Sequence, residues 1–107
     1  MKTDLEASTF QKRPAYRYLR NSDQLPSLDV EESDPIARVK LFNPSGGYTW
    51  YISAYDPKSR RAFALVHGQE KEAGYVDMAE LVDYRGRFGL PIERDLYWHP
   101  KPFSDLK

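Results

Sequence analysis

The chain has 107 residues, 40% of them hydrophobic, with 16 Lys and Arg balanced by 16 Asp and Glu. That is the size of one ordinary domain around one core, and the even charge singles out neither nucleic acid nor a membrane surface as a bulk electrostatic partner. No cysteine is present, which excludes disulfides, thiolate zinc sites, iron–sulfur clusters and cysteine nucleophiles. No segment approaches the roughly 18 apolar residues of a membrane span, and residues 1–20 hold no signal-peptide core, so a cytoplasmic protein without membrane attachment is expected.

Residues 1–24 read as an N-terminal extension before a single domain over 25–107. The extension has no sustained hydrophobic period; Thr3 and Glu6 have the spacing of a capping box, good for at most a turn or two of helix. Lys12, Arg13, Arg17 and Arg20 are threaded with Tyr16 and Tyr18, a pattern that is either a basic arm contacting phosphates and bases or a solvated tail. An acidic stretch follows at Asp29, Glu31, Glu32 and Asp34.

From Ile36 the pattern turns to strands. Ala37, Val39 and Leu41 alternate with Arg38 and Lys40, as in a half-buried strand over 36–42. Asn43-Pro44-Ser45-Gly46-Gly47 breaks it, and residues 48–55 make a second strand rich in aromatic rings. Asp56-Pro57-Lys58-Ser59 has the proline placement of a tight turn, and a third strand follows over 62–67. Strict alternation puts Trp50, Ile52 and Ala54 on the core side, met by Phe63 and Leu65, and turns Tyr51 and Tyr55 to the other side with Arg38 and Lys40 beside them. That second side is either a partner-binding surface or is covered by the N-terminal segment through Leu5, Phe10 or Leu19.

Asp77 has the position of a helix N-cap, with Glu80 as its reciprocal partner and Val76 and Leu81 as a hydrophobic staple. Helix is expected from Met78 to about Tyr84, with Met78, Leu81 and Val82 inward and Gly86 ending it in a left-handed conformation. A last strand is expected near 95–98, stopped by Pro100 and Pro102, with Ser104 capping a final turn. The fold class is therefore α+β, a small antiparallel sheet of four or five strands with one principal helix.

No catalytic residue, metal ligand set or cofactor site is nominated. His67 and His99 lack the spacing of a zinc site, which normally needs three protein ligands, and the carboxylates Glu70, Glu72, Asp77, Glu80 and Asp83 suit a solvated face or an acidic patch. Arg60, Arg61, Arg85, Arg87 and Arg94 suit oxyanions or pairing with carboxylates, and Glu93-Arg94-Asp95 suits a structural ion pair that fixes a loop.

The Trp-Tyr strand ending in Asp-Pro, the Gly74-Tyr75 step into an acidic helix, and the block Gly-Leu-Pro-Ile-Glu-Arg-Asp-Leu over 89–96 resemble a small bacterial family designated only as domain of unknown function number twenty-nine fifty-eight. The resemblance covers roughly 25–107. It implies no activity and no catalytic residues; it implies a setting, the accessory cargo of plasmids, phages and integrative elements. The expected function is thus a non-enzymatic protein of mobile genetic elements that binds a protein partner, such as an anti-CRISPR or anti-restriction inhibitor, through Tyr51, Tyr55, Arg38 and Lys40. A nucleic-acid-binding accessory protein using Lys12, Arg13, Arg17 and Arg20 is the alternative, and a small hydrolase the third.

Overall fold

The computed structural model describes residues 4–8 and 16–107, and its centre is an antiparallel five-stranded sheet. Its strands are β4 (Val39–Phe42), β5 (Thr49–Asp56), β6 (Arg61–His67), β7 (Lys71–Asp77) and β8 (Glu93–Arg94), in the spatial order β7-β6-β5-β4-β8. Two small antiparallel pairs flank it: β1 (Asp4–Ser8) with β2 (Tyr16–Arg20), and β3 (Ile36–Ala37) with β9 (Lys101–Pro102). The helix α1 covers Met78–Asp83, so the sheet component of the expected fold is present while the helix is a short one.

β5 and β6 form where β-branched and aromatic residues alternate, and the turn between them closes with Arg60 at φ 61° and its N–H donating to the Asp56 carbonyl at 2.8 Å. The expected faces, however, are reassigned by a bulge. Ile52 pairs with Ala64 but Ala54 pairs with Phe63, so Ser53 is the extra residue that turns the rest of β5 over. Trp50, Ile52 and Tyr55 therefore share the first face with Ala62, Ala64, Val39 and Leu41, and Tyr51 shares the second face with Phe63, Leu65 and Ala37. Phe63 and Leu65 do not meet Ile52 as expected, because the strand register sets Ala64 opposite Ile52 and Leu65 opposite Tyr51.

Each face has its own cover. Tyr18 and Leu19 of β2, with Leu5 of β1 and Met78, Leu81 and Val82 of α1, seal the first face. The expected N-terminal extension is, over its described residues, a hairpin that belongs to the core, and Glu6 lies in strand rather than helix. Trp98, Phe103 and Leu106 lie against the second face. Phe103 stacks on Phe63 at 6.2 Å between centroids, and Trp98 lies 5.2 Å from Tyr51 while its Nε1–H donates to the Ala37 carbonyl at 2.9 Å.

Four further features differ from expectation. β7 occupies a stretch to which the sequence assigns no strand: an edge strand buries little on either side, so it carries no apolar alternation to read. The helix ends at Asp83, and Gly86 has φ −89°; the left-handed residues come later, at Phe88 and Gly89. The last strand of the main sheet is Glu93–Arg94, paired to Leu41 and Phe42, whereas residues 95–98 form a turn in which the Trp98 N–H donates to the Asp95 carbonyl. The expected single strand over 36–42 is split at Arg38, whose N–H reaches the Ile52 carbonyl at 2.8 Å.

Candidate functional site

The cover of the second face stops short of β7. There, Ala54 of β5, Phe63 of β6 and Tyr75 of β7 stand in one cross-strand row, and this row floors a groove of about 650 Å³. Its wall is the segment that leads into β3, with Leu28, Val30, Glu31 and Glu32 among the lining residues. Tyr75 is 57% exposed and Val30 54% exposed, an apolar arrangement left open to solvent beside a well-packed sheet. Tyr75 is held by two side chains of β6: its ring meets Phe63 edge-on at 5.3 Å, and the Arg61 guanidinium sits 4.8 Å from its centroid. Such a preset amphipathic ring in a concave site is suited to docking another molecule.

The residues expected to form a contact surface are placed elsewhere. Tyr55 is 4% exposed on the first face and Tyr51 is 9% exposed on the second, so the bulge at Ser53 parts them and both rings are core. The covered alternative is the one seen for Tyr55, through Leu5 and Leu19; Phe10 lies outside the described residues. Tyr55 donates its hydroxyl proton to the Glu6 carboxylate, and burial, then this bond and its charge, hold the phenol well above the ordinary tyrosine range. Glu6 is only 3% exposed and also receives Arg60, at 2.6 Å from Nη2 and 2.9 Å from Nε. Arg38 makes paired contacts of 3.1 Å with Glu32 and donates to the Ser53 carbonyl at the bulge. Lys40 pairs with Asp95 at 3.6 Å and lies 5.6 Å from the Trp98 ring.

The basic N-terminal residues are partly outside the description. Lys12 and Arg13 fall in the residues not described, Arg17 is exposed, and Arg20 is half-buried with its N–H donating to Asp23 at 2.8 Å. The Glu93-Arg94-Asp95 segment carries a structural ion pair: Arg94 grips Asp23 through both terminal nitrogens, at 2.7 and 2.6 Å, and its Nη1 also reaches the Tyr18 carbonyl. This fastens β2 to β8, together with the Tyr18 hydroxyl, which donates to the Ile92 carbonyl at 2.7 Å. Arg85 donates to the Val82 and Tyr84 carbonyls at the end of α1, where a cation complements the helix dipole.

His67 lies on the second face, 4.8 Å from the Tyr51 ring, with its Nε2 buried and lacking a hydrogen-bond partner. Burial, with help from Lys71 and Lys40, lowers its pKa below the ordinary histidine value. Among the described residues no group of three His, Asp or Glu is placed to hold a metal ion, and no helix is long and apolar enough to cross a membrane.

With the sealed first face, the Asp-Pro turn and the 89–96 block in place, the family can be stated. The chain belongs to the family described as "Protein of unknown function (DUF2958)". The match spans residues 12–105, so it takes in β2, which the resemblance in sequence had left outside. No curated protein and no solved structure matches the chain. Within this DUF2958 domain, the groove residues Leu28, Val30 and Tyr75 are the ones sequence reasoning missed. The Gly74-Tyr75 pair had been noticed only as a family signature; that Tyr75 is exposed follows from β7 being an edge strand.

Proposed function

We propose that this DUF2958 protein is a non-enzymatic binding domain whose protein partner seats in the groove over Ala54, Phe63 and Tyr75. The observation that carries the reading is the open apolar row on an otherwise covered sheet face, with Tyr75 and Val30 exposed at its rim. Aromatic anchors in desolvated pockets dominate binding energy at protein interfaces. The charged groups elsewhere support a non-catalytic reading, because Glu6, Asp23, Glu32 and Asp95 are engaged in ion pairs and Asp77 in a helix cap. The setting implied by the family resemblance, cytoplasmic cargo of mobile genetic elements, suits a domain that blocks a host-defence protein, an anti-CRISPR or anti-restriction inhibitor.

The test is affinity capture from host lysate with the wild-type chain, a Val30→Glu variant, and a variant replacing Lys12, Arg13, Arg17 and Arg20. Val30 lies on the groove wall and not in the sheet, so its replacement tests the groove without disturbing strand pairing. A protein retained by the wild type and by the basic-segment variant, and lost with Val30→Glu, is the expected result. Tight nucleic-acid binding that weakens steeply with salt and is lost with the basic-segment variant would overturn the reading in favour of the nucleic-acid accessory role.

A further inference from the structure

β7 is the unpaired edge of the main sheet, and the two edges are built differently. β8, at the opposite edge, is two residues long and follows Pro91, a short strand of the kind that resists edge-to-edge pairing. β7 runs for seven residues, pairs with β6 in unbroken register, and has neither a proline nor a bulge. Among the described residues, no backbone group outside β6 bonds to it. Its centre, Ala73-Gly74-Tyr75, is uncharged.

The ladder sets which groups point outward. Met78 N–H donates to the Arg60 carbonyl at 2.8 Å, so the inward-bonding positions continue through Val76, Gly74 and Glu72, paired to Ala62, Ala64 and Val66. Lys71, Ala73 and Tyr75 therefore turn their N–H and C=O groups to the open edge, while the carbonyl of Asp77, the N-cap of α1, is taken into the helix. Reversed about Gly74, the sequence Lys71-Glu72-Ala73-Gly74-Tyr75-Val76-Asp77 meets itself with complementary ends and centre, and with Glu72 opposite Val76, a pair that neither attracts nor repels by charge. Lys71 falls opposite Asp77, small Ala73 opposite large Tyr75, and Gly74 opposite itself. Centring the pairing on Ala73 or Tyr75 instead preserves the hydrogen-bond parity but leaves one charged end of the strand with nothing opposite.

We propose that β7 pairs antiparallel with β7 of a second copy of this chain, about a two-fold axis through Gly74, joining two five-stranded sheets into one. Each copy then contributes Lys71 to the other's Asp77, giving two ion pairs, and the outward backbone groups of Ala73 and Tyr75 find partners. The two second faces become continuous, with Tyr75 of one copy beside Ala73 of the other. This goes beyond partner binding in the groove and does not depend on it: Tyr75 is common to the groove floor and the edge strand, but the groove wall at Val30 lies off the edge.

Sedimentation velocity reads the assembly directly. The wild type should sediment at twice the chain mass of 12.5 kDa, Lys71→Asp at the single mass with unchanged circular dichroism, and Lys71→Arg, which keeps the charge and leaves the Asp77 cap in place, at twice the mass. A geometric test uses the absence of cysteine. Gly74 has open space where a Cβ would stand, and non-hydrogen-bonded cross-strand positions place Cα atoms about 4.5 Å apart, within disulfide range. Gly74→Cys should be oxidised by oxidised glutathione to a covalent dimer about tenfold or more faster than Ala73→Cys, since only the former brings two thiols together at high effective concentration. A wild type at the single mass, a Lys71→Asp variant that remains dimeric, or equal oxidation of the two cysteine variants would overturn the proposal. Val30→Glu should leave the dimer mass unchanged, so loss of partner capture and loss of dimerisation are read separately.

Discussion

On the first face of the sheet, Tyr55 reaches Glu6 of β1 and is enclosed by Tyr18, Leu19 and α1; on the second, Tyr51 lies under Trp98 and beside Leu65, and the cover ends before Tyr75 is reached. β5 supplies a buried tyrosine to each face, yet the second face also carries Tyr75 on β7, which stays exposed. The difference is one of supply: among the described residues, the first face draws its cover from both the N-terminal hairpin and the helix, while the second is packed by the C-terminal segment and only walled, across an open groove, by the residues that lead into β3. Enclosed rings contribute stability through burial, and the ring left outside is available for contact.

The strongest way to break the comparison is to remove residues 1–24. This strips Leu5, Tyr18 and Leu19 from the first face and leaves Arg94 and Arg60 without Asp23 and Glu6, so the truncated chain should lose its cooperative unfolding transition. A soluble truncation with an unchanged denaturation midpoint would mean that the hairpin is an accessory to the core. A smaller cut is Tyr55→Ala, which empties the enclosed site and leaves the buried Glu6 carboxylate with Arg60 alone; a loss of about 3–5 kcal/mol, the usual cost of truncating a large buried aromatic, is expected by chemical denaturation.

Asp77→Ala touches the join between β7 and α1. Asp77 Oδ1 accepts from the Ala79 N–H at 2.8 Å, and losing such a cap should cost about 0.5–2 kcal/mol; an unmoved midpoint would show that α1 is held by Met78, Leu81 and Val82 alone. His67 gives the second face a pH dependence. Its folded pKa lies below the ordinary value of 6.5, so protons bind the unfolded chain more readily. Its contribution is complete above 6.5 and is lost as the pH falls through the unfolded and then the folded pKa. The denaturation midpoint should fall over that range, and His67→Gln should flatten that part of the profile. Smallest of all is Tyr75→Ala, which should change stability by about 0.5 kcal/mol or less, as for an ordinary surface position, while reducing partner capture; a loss comparable to that of Tyr55→Ala would show that Tyr75 is core after all.

How much of this was legible in the sequence can be followed residue by residue. The β5 and β6 strands, the Asp-Pro turn and the Asp77 cap are local: alternation, a proline and a capping side chain act within a few residues, so their signals stand in the chain itself. The bulge at Ser53 leaves no mark on composition, yet it exchanged the faces of Ala54 and Tyr55 relative to strict alternation, and the register that sets Leu65 opposite Tyr51 is a property of two strands that the alternation of either one does not contain. β7 was illegible because an edge strand buries too little to impose a pattern. Leu28, Val30 and Tyr75 could not be grouped because the groove joins residues brought together only by the packed sheet.

The sequence by itself determined β5 and β6 with their turn, the capped helix and the family, because hydrogen-bonding residues, turn formers and the 89–96 block act or are recognised locally. Tertiary structure alone decided that the N-terminal basic segment contains a core hairpin, that Tyr51 and Tyr55 part to opposite faces, and that Tyr75 stays outside. The reason is physical: Glu6 finds Arg60 and Asp23 finds Arg94 across most of the chain's length, and such long-range pairings exist only once the fold has closed the loops between them.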